Sequence, residues 1–162
     1  MIGVLLSLLI VVLATPVAAT EITGPAKAVD TTVMAINGQR IMLFGIDSVM
    51  RKQNCTRDGR IWQCWAAAMR ELQTLVDQGP ASCASIGEPD PLGRLLARCT
   101  INGQSLNGRL VQAGWAVARR SDTADYVAAE DEAKKEKRGL WQGEFAMPAE
   151  FRRTHGIFVD RP

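Results

Sequence analysis

Histidine is nearly missing from this chain: His155 is the only one, and none of the four cysteines forms a C-x-x-C pair. Those gaps argue against a zinc site, which draws its ligands chiefly from these two residue types. Excess positive charge is also scarce. The 19 Lys/Arg face 17 Asp/Glu, for a net charge of +2. A protein that grips nucleic acid through many phosphate contacts normally carries a stronger basic excess. This balance neither requires nor excludes an anionic ligand. No internal repeat or low-complexity tract is present, and 162 residues suit a single core.

Every charged residue lies beyond residue 20, after an uncharged apolar run over 2–13, Pro16 and the small residues Val17-Ala18-Ala19. That layout predicts a secretory signal peptide over 1–19, cleaved after Ala19, and one domain over 20–162. The expected location is secreted or periplasmic. No Lys or Arg precedes the run, so an uncleaved anchor is the competing reading. A membrane span needs about 20 apolar residues, however, and Pro16 interrupts these. No stable membrane insertion is expected after cleavage, and no cysteine stands at the cleavage site to take a lipid.

An even number of cysteines in an exported chain points to disulfides. Of three pairings, Cys55–Cys64 and Cys83–Cys99 are favoured, because each joins residues close in sequence and the second would bridge neighbouring strands. A loop of the second size contributes about 3 kcal/mol in the chain-entropy model.

Residues 20–25 read as an exposed lead-in. Ala26–Ile36 and Arg40–Ile46 suit strands, with Asn37-Gly38 a strong hairpin signal between them. Met50–Arg60 reads as a polar loop. From Trp62 to Val76, apolar residues recur at three- and four-residue steps, predicting a helix stopped by Gly79-Pro80. Ala81–Ile86 and Leu92–Ile101 read as strands, Ser105–Ala113 as a short helix and Trp115–Ala118 as a last strand. A third helix is expected over Thr123–Arg138, with Glu130/Lys134 and Asp131/Lys135 at i,i+4 spacing. The mixture is α+β, mainly β, and compatible with a small barrel packed by helices.

The segment Asp30-Thr31-Thr32, Asn37-Gly38-Gln39-Arg40-Ile41-Met42-Leu43 and Gly45-Ile46-Asp47-Ser48-Val49-Met50 resembles the thermonuclease (staphylococcal-nuclease-like) family, whose pattern runs D-G-D-T, a hairpin, then R-L-x-G-I-D-A-P-E. Trp62-Gln63-Cys64, Asp90-Pro91-Leu92-Gly93-Arg94, Leu106-Asn107, Gly114-Trp115-Ala116 and Gly139-Leu140-Trp141 extend the likeness over roughly residues 24–153. The resemblance implies a five-stranded OB-fold barrel with three helices.

It also implies a chemistry of calcium-assisted phosphodiester hydrolysis, and most positions that would carry it are substituted. Asp47 matches one metal-binding aspartate, but Thr32 stands where the other belongs. Met42 replaces a phosphate-clamping arginine and Met50 the catalytic glutamate. Arg94 matches the second phosphate arginine. Leu92 and Arg119 replace tyrosines of the aromatic platform. Asp30, two positions from Thr32, is a speculative substitute ligand if the strand is regular there. Ca²⁺ takes about 6–8 oxygen ligands, and the transition state needs fixed positive charge. Methionines fill apolar grooves instead. His155, outside the matched region, reads as an exposed tail residue, and the four tryptophans as packing residues.

The leading expectation is therefore an exported thermonuclease-like protein that has lost phosphodiesterase activity. It would act as a binding or accessory module, with a glycan, oligonucleotide or protein ligand on the barrel face and no cofactor. An envelope or exopolysaccharide role follows by analogy alone. The alternative is an active Ca²⁺-dependent nuclease using Asp47 and Arg94. A third reading is a structural partner-binding protein.

Overall fold

A computed structural model of the chain describes residues 20–51 and 53–157. The segment read as a signal peptide lies outside them. Two interruptions shape the first strands. Gly24-Pro25 separates β1 (Glu21–Gly24) from β2 (Ala26–Asp30), since proline has no N–H for a ladder. A turn at Thr31-Thr32 then sends β3 (Val33–Ile36) back antiparallel to β2. Ala26–Ile36 is thus a hairpin and not the single strand expected. Residues 20–25 are no loose lead-in either, because Ile22 packs on the core and β1 pairs along the later strand that contains Cys83.

Asn37 and Gly38 adopt φ values of 50° and 82°, the left-handed pair that a two-residue hairpin turn demands. They lead into β4 (Gln39–Leu43), then β5 (Ile46–Asp47). The stretch read as a loop holds a second hairpin, β6 (Cys55–Arg57) and β7 (Arg60–Trp62), turning at Asp58-Gly59. Helix α1 spans Cys64–Val76 and buries Ala68, Leu72, Leu75 and Val76. Next come β8 (Ala81–Ser85), β9 (Leu95–Ile101), β10 (Gln104–Ser105) and α2 (Leu106–Gln112). Then follow β11 (Val117–Ala118), α3 (Val127–Lys135), a 3-10 turn over Gly139–Gln142, and α4 (Pro148–Thr154).

The main sheet has seven strands in the order β1-β8-β9-β4-β3-β2, with β10 beside β9, while β5 pairs with β11. The chain is α+β and mainly β, as expected, but the five-stranded closed barrel with three helices needs correcting. The end strands β1 and β2 do not pair with one another, so hydrogen bonding leaves the ring open. They are consecutive segments, and the chain bends between the two ends at Gly24-Pro25. There are four α-helices among the described residues, the fourth lying at their C-terminal end.

Both expected disulfides form, Cys55–Cys64 and Cys83–Cys99, the second across directly paired residues of β8 and β9. The main core gathers Met34, Ile36, Ile41, Leu43, Leu72 and Leu110 among others. A second cluster around Cys55–Cys64, Val49 and Leu140 takes Trp62, Trp65 and Trp115 as packing residues. Gly114 (φ 78°) and Gly139 (φ 53°) touch back to back: a Cβ on Gly114 would lie 2.2 Å from the Arg138 carbonyl oxygen. That approach lets Leu140 N–H donate to Gly114 O at 2.8 Å. Among the described residues no helix is long and apolar enough to cross a membrane.

Candidate functional site

Antiparallel pairing of β3 with β4 places Met42 opposite Val33. The turn before β3 and the loop after β5 bring Thr32 and Met50 to the same spot. Together with Asp30, Asp47 and Arg94 they line one small cleft of about 60 Å³. The fold therefore gathers the metal, phosphate and acid positions singled out in the sequence, but not the two platform positions: Leu92 is 71% exposed, and both it and Arg119 lie outside the lining.

Asp47 is buried and already bound. Its Oδ1 accepts from Ser48 N–H at 2.9 Å and from Arg152 Nη1 at 3.0 Å, while Oδ2 pairs with Arg152 Nη2. This is a two-pronged guanidinium–carboxylate contact, the geometry in which arginine binds a carboxylate best. The two side chains are 14% and 5% exposed. Arg152 comes from α4, 105 residues along the chain. Pro148 at the helix start fixes its entry and the buried Phe151 anchors it, so the short helix is set against the cleft.

Asp30 sits at the rim. The turn that follows β2 breaks the regular strand on which its alignment with Thr32 depended. Its Oδ1 accepts from Thr31 N–H at 2.8 Å and from Trp65 Nε1 at 3.1 Å. Arg94 is likewise engaged, its Nε donating to Asp90 Oδ2 at 2.6 Å. Asp90 is itself a turn hub, whose Oδ1 accepts from Leu92 N–H and Arg94 N–H, both at 2.9 Å. Burial works to raise the Asp90 pKa, but Arg94's N–H and guanidinium, helped by Leu92 N–H, bring it below the ordinary 3.8. Arg94 Nη2 is buried without a hydrogen-bond partner.

Both guanidiniums in the cleft thus face their own carboxylates, which leaves little net positive charge for a phosphodiester. The donor set does not fit a calcium ion. Thr32 supplies no carboxylate, both Asp47 oxygens are held by Arg152, and among the described residues no group of three or more His, Cys, Asp and Glu could hold a metal. Met42 is fully packed and Met50 half-buried, so neither presents a polar group. His155 is exposed and stacks on Phe151 at 4.0 Å, away from the lining. Arg119 pairs with Asp122 at 3.4 Å. Sequence reading missed Arg152, since nothing near it in the chain signals a partner at Asp47.

The cleft lies at the β2–β5 end of an open, helix-packed β-sheet. The family model for staphylococcal nuclease homologues matches residues 40–143, more than half of the chain, and the chain belongs to that family. No curated protein matches it. Helix α4, which supplies Arg152, lies beyond the matched residues.

Proposed function

We propose that this protein is an exported, non-hydrolytic member of the staphylococcal nuclease family that serves as a binding or accessory module of the cell envelope. The observation that carries this reading is the Asp47–Arg152 pair. A metal-dependent phosphodiesterase needs a carboxylate cluster open to a cation, and here an internal guanidinium covers the one aspartate kept at such a position. A divalent cation would have to displace a two-pronged, buried partner, which is costly when nothing replaces it. The water-orienting acid and one charge clamp are methionines, and each lost preorganised group typically costs about 10²–10³ in rate. Such losses are not additive, but they act in one direction. Two disulfides in a chain that opens with a signal-like apolar run support export.

The test is a fluorogenic single-stranded DNA assay on the purified protein with calcium. No turnover above that of the Asp47→Ala variant is expected. Calcium-dependent cleavage that disappears in Asp47→Ala would overturn the reading and restore the active-nuclease alternative.

A further inference from the structure

The β6–β7 ribbon is separate from the cleft, and the two share no lining residue. Its backbone leaves one edge open. In a two-residue hairpin the pair flanking the turn, here Arg57 and Arg60, is the hydrogen-bonded one. The next pair, Thr56 and Ile61, therefore turns its N–H and C=O groups outward. On the β6 side Thr56 is met by Glu144, with N–H···O contacts of 2.9 and 2.8 Å. On the β7 side no described residue meets Ile61, and β7 pairs with β6 alone. Ile61 is 70% exposed. An unpaired edge of this kind is a template for another strand.

The charge on the ribbon is equally unbalanced. Like charges directly opposite one another on paired strands are destabilising, yet Arg57 faces Arg60 across the turn. Arg57 donates to the neutral Gln142, and among the described residues neither arginine makes an ion pair. The ribbon holds Arg57 and Arg60 against Asp58, a net charge of +1, and the flanking Arg51, Lys52 and Arg70 bring residues 51–70 to +4, which leaves the rest of the chain at −2. A cavity of about 400 Å³ is lined by Arg57, Asp58, Arg60, Ile61 and Trp62, and the Trp62 Nε1 is buried without a partner. The Cys55–Cys64 disulfide ties the base of the ribbon to α1, so the edge is held ready.

We propose that the β7 edge docks an extended acidic segment of a partner polypeptide. The segment adds as a strand through the Ile61 backbone and places carboxylates on Arg57 and Arg60. A polypeptide is favoured over a sugar or nucleic acid polymer by what the surface leaves open. One face of each indole that could stack a sugar or base is already taken, Trp62's by Arg57 at 5.7 Å and Trp65's by Arg51 at 4.7 Å. Backbone groups, an aliphatic side chain and two guanidiniums remain. This gives the binding module its surface and rests on that reading only for its biological role.

The probe is a fluorescent ten-residue peptide alternating Glu with Thr and Val, followed by anisotropy against the purified protein at low ionic strength. Comparison probes are its Glu→Gln counterpart, an oligouronate and a single-stranded oligonucleotide of matched charge. The acidic peptide is expected to bind saturably and at least about tenfold tighter than each of the three. Arg57→Gln with Arg60→Gln should weaken it by about tenfold or more. Ile61→Pro removes the outward N–H at an edge position where proline is tolerated, and should abolish binding that Ile61→Val retains. Absence of saturable peptide binding, binding unchanged in the double arginine variant, or tighter binding of the oligouronate or oligonucleotide would overturn the proposal. DNA cleavage by the same preparation would contradict the reading of the cleft, while the anisotropy result alone decides whether the ribbon docks a peptide.

Discussion

Arg152 and Asp47 form the contact on which the site turns, and its removal has a calculable direction. Breaking a buried ion pair from one side leaves the other charge uncompensated, at a cost of about 3–5 kcal/mol. Both side chains are nearly buried, so Arg152→Gln is expected to destabilise the protein by about 3 kcal/mol in urea denaturation. A loss under about 0.5 kcal/mol, the range of an exposed pair, would show that the contact is loose. Asp90 makes a second prediction at this scale. Its folded pKa is lowered, so its contribution is fully present above the ordinary carboxylate value and is lost as pH falls through the lower folded value. The stability gap between wild type and Asp90→Asn should therefore shrink below about pH 4. A gap that widened on acidification would contradict the Arg94 pairing. Asp47, Asp30 and Arg94 were legible as a set because the family pattern fixes their positions. Arg152 was not, because a pair formed between residues 105 apart leaves no trace in local spacing.

Among the elements, those with strong local signals were the readable ones. Asn37-Gly38 marked its hairpin, and the three- and four-residue rhythm marked α1. The same kind of turn signal stood at Asp58-Gly59, but its flanking strands are only three residues each, too short for alternation to betray them. Strand β1 exists because β8 offers it a partner, which is a tertiary fact. Helix α4 is too short to show a period. Elsewhere polar groups join one element to another. Asn107 on α2 is fully buried; its Oδ1 accepts from Cys99 N–H at 3.1 Å, and its amide donates to Phe44 O at 2.9 Å and Ala97 O at 3.3 Å. Asn107→Ala would strand those groups, and a loss of about 2–3 kcal/mol is expected by thermal or urea unfolding; a neutral result would mean that water replaces the amide. On α3, Glu130 meets Lys134 at 3.0 Å as the spacing suggested, and also Arg120 at 2.6 Å. Asp131 departs from the expected pattern, meeting Arg120 and Lys134 and not Lys135.

For the molecule as a whole, the scaffold and its covalent ties were legible, and the closure of the ring was not. Pro25 breaks the ladder where a barrel strand would run on. The β8–β9 disulfide closes a separation of 16 residues, and replacing both cysteines with alanine should cost about 3 kcal/mol of stability. Full retention of the melting temperature would place that stability elsewhere. The Gly114–Gly139 contact explains why two separate family fragments carry glycine, since neither position has room for a side chain. At Asp47 an internal guanidinium holds the place that a cation would need. Calorimetric titration of the purified protein with calcium tests it most directly. No saturable heat of binding is expected. Stoichiometric binding that is abolished by Asp47→Ala would contradict it.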